Sequence, residues 1–138
     1  MRNKIAWVDL GLLILRIGIG IIFIFHGWPK LTDGVETWIQ IGSTMSMLGI
    51  TFAPAFWGFM AAFAEVVGGI FIIFGLLHRL VALMLIFTMI VAVLVHVTAS
   101  DPFGVYSNPL KALVVFVALF ITGPGKYSLD YRYFRRIA

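Results

Sequence analysis

Ionisable side chains stand at a few isolated positions within long apolar stretches of this sequence. The stretch "LRIGIGIIFIFHGWPKL", residues 15–31, carries Arg16, His26 and Lys30 among Ile, Phe and Gly. A second apolar stretch carries Glu65, and a third ends close to His96. A carboxylate or an imidazole can exchange protons with a ligand, and a guanidinium can polarise it. These residue types therefore suit acid–base chemistry on a bound polar group.

The composition predicts an integral membrane protein. Of the 138 residues, 62% are hydrophobic and 12% are charged, whereas soluble domains carry about 25% charged residues. The chain has no cysteine, which excludes thiol–disulfide chemistry and zinc or iron–sulfur centres held by cysteine. The net charge of +4 indicates contact with anionic membrane lipid. No nucleic-acid partner is predicted, since the sequence has no arginine-rich arm and no nucleic-acid-binding motif.

Four apolar segments have the length of about 20 helical residues that a bilayer crossing needs. They are predicted at about 8–28, 54–77, 80–97 and 105–123. Pro29 is expected to end the first span because proline interrupts helical hydrogen bonding. The fourth span is short if it starts at Pro109, so a start near Phe103 is the alternative. The predicted fold class is all-α, with residues 1–138 forming one domain built as an integral membrane four-helix bundle.

Residues 32–53, between the first two spans, are too many for a simple turn. Their apolar residues recur at helical spacing with polar residues opposite, which predicts a short interfacial helix lying along the membrane surface. A covering loop without regular structure is the alternative.

The basic residues predict the orientation. They concentrate on the side that holds both termini, the turn at Arg79 and the basic tail 124–138. By the positive-inside rule both termini are predicted to be cytoplasmic. The predicted location is the inner (cytoplasmic) membrane, as a multi-pass protein.

Arg16 and Glu65 are predicted to form an ion pair. With His26 and Pro54 taken as the outer ends of two antiparallel helices, each charge lies roughly 15 Å below the outer surface at 1.5 Å per residue. An unpaired charge at the bilayer centre costs at least ~2.5–3.5 kcal/mol, which makes a partner necessary. The sequence leaves open whether the pair only stabilises the bundle or also takes part in function.

A shared polar site is predicted near the outer end of the bundle. His26 and Lys30 end the first span, His96 lies near the end of the third, and Lys111 flanks the fourth. These four residues and Arg16 are the candidate substrate-binding residues. As alternatives, His26 is an interfacial histidine bonded to a loop carbonyl, and the two lysines extend to the lipid headgroups.

Glu65 and His26 are the candidate catalytic residues, as groups that can take up or release a proton. His78 and Arg79 are expected to anchor the opposite membrane surface. The methionines are interpreted as packing residues, and no metal site is predicted.

Three segments together resemble the DoxX family of small four-helix bacterial membrane proteins: "LRIGIGIIFIFHGWPKL", "AEVVGGIFIIFGLLHRLVAL" and "GPGKYSLD". The resemblance covers nearly the whole chain. The positions that match the family motif are Arg16, His26, Gly27, Lys30, Glu65, Gly68, Gly69, Arg79, Gly123, Pro124, Gly125 and Asp130. The family is named after subunits of quinone-linked membrane oxidoreductases, so the resemblance implies an oxidoreductase without fixing the mechanism.

The leading functional hypothesis is a membrane oxidoreductase subunit that binds quinone or quinol in a polar pocket near the outer face. His26 with Lys30 or His96 would donate to, or accept a proton from, one carbonyl group of the quinone, and Glu65 beside Arg16 would relay the second proton. The chain has no electron carrier of its own, so electrons would come from a soluble or membrane redox partner, or pass directly between bound substrates.

The main alternative is a non-catalytic membrane anchor or assembly partner for a soluble enzyme. A bis-histidine haem site at His26 and His96 is less favoured because no other haem signature accompanies it. A small-molecule carrier is less favoured because inverted repeats are absent. No covalent cofactor is expected. The oligomeric state stays open, with a homo-oligomer as one alternative.

Overall fold

A computed structural model describes residues 2–133, and their side chains from residue 6 onward. In chain order these residues form α1 (Arg2–Thr32), α2 (Val35–Ser43), a 3-10 helix (Thr44–Leu48), α3 (Pro54–Phe74), α4 (His78–Thr98), α5 (Phe103–Thr122) and α6 (Leu129–Tyr133). No strand occurs in this part of the chain. Helices α1, α3, α4 and α5 are long and apolar enough to cross a membrane. The all-α fold with four candidate spans, and a shorter helix between the first two, is therefore confirmed.

The four long helices pack around one shared core as a bundle. α1 packs mainly against α3, α3 against α4, and α4 against α5. The buried core contains Phe23, Ile72, Leu85, Phe116 and Leu119. The rings of Phe23 and Phe116 meet edge to face at 4.7 Å and connect α1 with α5. Many other apolar side chains on the long helices are exposed, as expected for surfaces that face lipid.

Two close contacts fix how α1 and α3 lie against each other. A Cβ atom at Gly27 would lie 2.7 Å from the Cβ of Glu65, and one at Gly20 would lie 2.6 Å from the carbonyl oxygen of Gly69. Small residues allow helices in lipid to approach this closely. Gly27 is therefore level with Glu65, and Gly20 is level with Gly69.

The observed ends of α1 differ from the expected ones, and the start of α5 agrees with one of its two predicted starts. α1 begins at Arg2 and continues through Pro29 to Thr32, so the predicted end before Pro29 is wrong. Proline removes one helical hydrogen bond, and helices in membranes tolerate such a loss. α5 begins at Phe103, the earlier of the two predicted starts, with Pro109 inside the helix.

α2 packs tightly against the first turns of α3. A Cβ atom at Gly42 would lie 1.7 Å from the carbonyl oxygen of Pro54, and one at Gly58 would lie 1.8 Å from that of Trp38. Val35 and Ile39 on α2 are exposed. The predicted short helix is thus present, whereas its position along the membrane surface stays a prediction.

The segment after α5 folds back onto the bundle. The backbone N–H of Lys126 donates to Asp9 Oδ1 at 3.0 Å, and Pro124, Ser128 and Asp130 are buried. The predicted basic tail is therefore packed over residues 124–133, and residues 134–138 lie outside the described range.

Candidate functional site

A cavity of about 630 Å³ lies between α3 and α4, beside α2 and the 3-10 helix; we call it the α3–α4 cavity. Its walls are mainly apolar and include Met45, Met60, Ala64, Met84 and Phe87. Its polar lining consists of Lys30, Thr44, Trp57, Glu65, Thr88 and His96. Leu83, which also lines the cavity, is 52% exposed, so the cavity opens to the lipid-facing side of the bundle.

An ion pair between Lys30 and Glu65 lines this cavity. The Nζ atom of Lys30 lies 2.8 Å from Oε2 and 2.9 Å from Oε1 of Glu65. Glu65 is only 2% exposed, whereas the Lys30 side chain keeps 30% of its surface accessible. Because both carboxylate oxygens bind one ammonium group, the buried charge is neutralised locally. An ammonium has three N–H donors, so one remains for a ligand.

Trp38 holds the end of α1 that carries Lys30. Its indole Nε1 donates to the carbonyl oxygen of Lys30 at 3.0 Å, and its ring packs edge to face on Phe59 of α3 at 5.0 Å. The last carbonyl oxygens of a helix have no hydrogen-bond donor within the helix. The indole N–H of Trp38 is the donor to one of these oxygens, that of Lys30. α2 therefore fixes the position of Lys30 against α3.

His96 and Trp57 form a second polar group in the cavity. His96 Nδ1 lies 2.7 Å from Asp101 Oδ2, a contact that orients the imidazole and leaves Nε2 to bind a ligand. Trp57 Nε1 is buried, and it has no hydrogen-bond partner within residues 2–133. His96 is near the end of α4 and Trp57 near the start of the antiparallel α3, so the two are at similar height.

These two polar groups are separated along the bundle. Glu65 follows Trp57 by eight residues on α3, which is about 12 Å at 1.5 Å per residue. The cavity thus has an ion pair at one level and a histidine with an indole at another.

The predicted Arg16–Glu65 ion pair is wrong. Arg16 is completely buried, and its Nη1 lies 3.4 Å and 3.2 Å from the carbonyl oxygens of Ile72 and Ile73. Its Nη2 donates to the carbonyl oxygen of Tyr127. The prediction took His26 as level with Pro54, but Gly27 is level with Glu65. In antiparallel helices this contact places His26 level with Val66, about twelve residues or about 18 Å from Pro54, and moves Arg16 to the end of α3.

Asp130 completes a buried polar cluster around that turn. Its two carboxylate oxygens accept the backbone N–H groups of Leu77 and His78 at 2.8 and 2.7 Å. The first N–H groups of a helix lack helical partners, and an aspartate placed this way caps α4. The backbone N–H of Asp130 donates in turn to the carbonyl oxygen of Gly75 at 3.0 Å. Asp9 and Asp130 were not among the candidate site residues, and only the family motif pointed to Asp130.

His78 does not anchor a membrane surface as predicted. It is completely buried, and its Nε2 lies 3.2 Å from the carbonyl oxygen of Leu119. Its neighbour Arg79 is exposed, so only the arginine is placed to contact headgroups.

The six candidate residues thus separate into three groups. Lys30, Glu65 and His96 line one cavity. Arg16 lies in the cluster at the opposite end of α3. His26 and Lys111 are exposed and are not among the described residues that line the cavity.

The comparisons with known proteins agree with this architecture. The family model described as DoxX matches residues 11–98. "Inner membrane protein YqjF" of Escherichia coli (strain K12) is 37% identical over 127 residues, covering 88% of this chain and 91% of the relative. "Putative oxidoreductase CatD" of Bacillus subtilis (strain 168) is 32% identical over 123 residues, covering 88% and 86%. The chain belongs to the DoxX family. "Inner membrane protein YphA" of Escherichia coli (strain K12) is 32% identical over 148 residues, covering 94% and 99%, and no solved structure matches.

The DoxX match spans the parts of the chain that build the cavity. It includes Lys30, Trp57, Glu65 and His96, and it ends before Asp101. Together with the four apolar helices, membership in the DoxX family identifies the chain as a multi-pass membrane protein.

Proposed function

We propose that this chain is a membrane oxidoreductase subunit that binds quinone or quinol in the α3–α4 cavity. It resides in the inner membrane with both termini cytoplasmic. The similarity to the protein named "Putative oxidoreductase CatD" supports the reaction class. The similarity to two proteins named inner membrane proteins supports the location.

The buried Lys30–Glu65 pair in an apolar cavity carries this proposal. A quinone has two carbonyl oxygens that accept hydrogen bonds, and its reduction to quinol takes up two electrons and two protons. The remaining N–H donor of Lys30 would bind one carbonyl oxygen, and Glu65 would exchange a proton with it. Because the pair has no net charge, an apolar ligand can enter without facing an uncompensated charge.

The second polar group, His96 and Trp57, would bind the other carbonyl oxygen. The indole N–H of Trp57 is a donor without a partner in the described residues, and His96 offers Nε2 beside it. The separation of about 12 Å from Glu65 suits a para-quinone ring with a hydrogen bond of about 2.8 Å at each end. His96, oriented by Asp101 at 2.7 Å, would exchange the second proton.

The apolar tail of the ligand would leave between α3 and α4. Leu83 and Phe87 line the cavity and are also exposed, so the tail would extend from the cavity into lipid. A redox partner protein would supply or accept the two electrons at the quinone ring.

The two histidines provide a matched test. We would measure the binding of a short-tailed ubiquinone analogue to the detergent-solubilised wild type and to His96→Ala and His26→Ala. An unmatched carbonyl in an apolar site costs ~1–3 kcal/mol, so His96→Ala should weaken binding roughly fivefold to a hundredfold. His26→Ala should bind like the wild type. Equal affinity of all three proteins would contradict the site and favour the non-catalytic anchor.

A further inference from the structure

A groove of about 730 Å³ lies at the end of the bundle near the Arg16 cluster. We call it the C-terminal groove, since residues 126–132 form one of its sides. Leu13 and Ile17 of α1 and Ile73 and Phe74 of α3 form its apolar side. Phe74 is 57% exposed and Ile17 is also exposed, so this side continues into the lipid-facing surface.

The other side of the groove is basic. Lys126 and Arg132 both line it, and both are exposed. The Lys126 ammonium lies 3.8 Å from Asp9 Oδ2, which is beyond hydrogen-bonding distance, so its N–H groups can turn to another anion. The nearby Asp9 and Asp130 are buried and accept backbone N–H groups. The accessible charge around the groove is therefore positive.

We propose that the C-terminal groove binds one anionic phospholipid. Lys126 and Arg132 bind its phosphate group, and one acyl chain lies along Leu13, Ile17 and Phe74. Basic side chains near a bilayer surface attract anionic headgroups, which accounts for the charged side. The apolar side distinguishes a lipid from a free phosphate ion, because a soluble ion would leave this surface without a partner.

The bound lipid joins three separate parts of the chain. Its acyl chain contacts α1 and α3, and its phosphate contacts the segment that follows α5. That segment contains Tyr127, whose carbonyl oxygen accepts from Arg16, and Asp130, which caps α4. This site is independent of the quinone proposal, because it lies at the opposite end of α3.

The test is a lipid titration of the full chain in detergent, followed by native mass spectrometry. Phosphatidylglycerol and phosphatidylcholine are compared on the wild type, on the double variant K126Q/R132Q and on Arg79→Gln. Arg79 is an exposed cation outside the lining of the groove, and it is the matched control. Each removed cation should weaken phosphatidylglycerol binding roughly fivefold, so the double variant should lose roughly twentyfold to thirtyfold. Arg79→Gln should bind like the wild type.

Two further arms test the apolar side and the kind of ligand. Ile17→Ser should weaken phosphatidylglycerol binding roughly threefold to tenfold, whereas Leu15→Ser should not, because Leu15 is as exposed as Ile17 but lies on the opposite face of α1. Soluble glycerol phosphate should not displace the lipid. Equal losses in Arg79→Gln and the double variant, equal binding of the two lipids by the wild type, or displacement by glycerol phosphate would each overturn the proposal.

Discussion

Lys30 of α1 binds both carboxylate oxygens of Glu65 on α3, at 2.8 and 2.9 Å, inside an apolar cavity. Arg16, a second cation of α1, binds the backbone carbonyls of Ile72 and Ile73 at the far end of α3 and that of Tyr127. Thus α1 contacts α3 through two cations with different partners: one neutralises a carboxylate in a cavity, and the other joins the end of a helix to a loop.

The first prediction concerns the energetic coupling of this pair. Lys30→Met leaves the Glu65 carboxylate buried without its cation, and we expect a loss of ~3–5 kcal/mol in the free energy of unfolding. Adding Glu65→Leu should recover a large part of this loss. Thermal unfolding in detergent would give the coupling energy through a double-mutant cycle. The matched cycle of Arg16→Met with Glu65→Leu should be additive; coupling there, and additivity in the Lys30 cycle, would contradict the observed pairing.

The second prediction compares two glycines of α1. A Cβ atom at Gly27 would lie 2.7 Å from the Cβ of Glu65, whereas one at Gly18 would have none of the described residues' atoms within 4 Å. Gly27→Ala should therefore force α1 and α3 apart and destabilise the protein by ~1–3 kcal/mol. Gly18→Ala should be neutral or stabilise it by up to ~1 kcal/mol, because alanine is the better helix former. Similar melting temperatures of the two variants would show that this helix contact is looser than described.

The third prediction concerns the cap of α4. Asp130→Ala removes the acceptors for the backbone N–H groups of Leu77 and His78, and the loss of such a cap costs ~0.5–2 kcal/mol. The segment that follows α5 should then detach more readily, with faster tryptic cleavage after Lys126 and Arg132. The control is Asp33→Ala, which changes an exposed aspartate and should cleave at the wild-type rate. Unchanged cleavage of the Asp130 variant would argue against a role of the cap in holding this segment.

The fourth prediction concerns Trp57 and depends on the proposed quinone site. Trp57→Phe keeps an aromatic ring in the cavity but removes the indole N–H, whose hydrogen bond to a ligand is worth ~0.5–1.5 kcal/mol. We expect the ubiquinone analogue to bind roughly twofold to tenfold more weakly, with little change in melting temperature. Trp28→Phe, which changes an exposed tryptophan, should leave the affinity unaltered. If the two variants bind equally well, Trp57 has no part in the site.

The fifth prediction concerns orientation. A reporter enzyme that is active only outside the cytoplasmic membrane, fused after Ala138, should be inactive, whereas a reporter active in the cytoplasm should function there. The excess of basic residues on the side of the termini is the physical reason. The opposite pattern would invert the topology.

The membrane fold followed from local properties of the sequence. A run of about 20 apolar residues can satisfy its backbone polar groups in lipid only as a helix, so the four candidate spans were evident without knowledge of their contacts. Lys30, Glu65 and His96 were also recognisable as candidates, because ionisable groups are rare in such segments. The effect of Pro29 was predicted wrongly, because the loss of one hydrogen bond near the end of a helix is compatible with its continuing to Thr32.

Only the tertiary structure decided which charges meet. The partner of Glu65 depends on how far α1 slides along α3, and this displacement is set by glycine contacts between residues distant in sequence, such as Gly27 with Glu65. Hydrophobic periodicity gives the face of a helix but not its position along a neighbour. The same reason explains why Trp57 and His96 meet in one cavity, and why Asp130 caps a helix that begins 52 residues earlier at His78. The sequence determined which residues had to be buried in the membrane; the packing of the helices determined their partners.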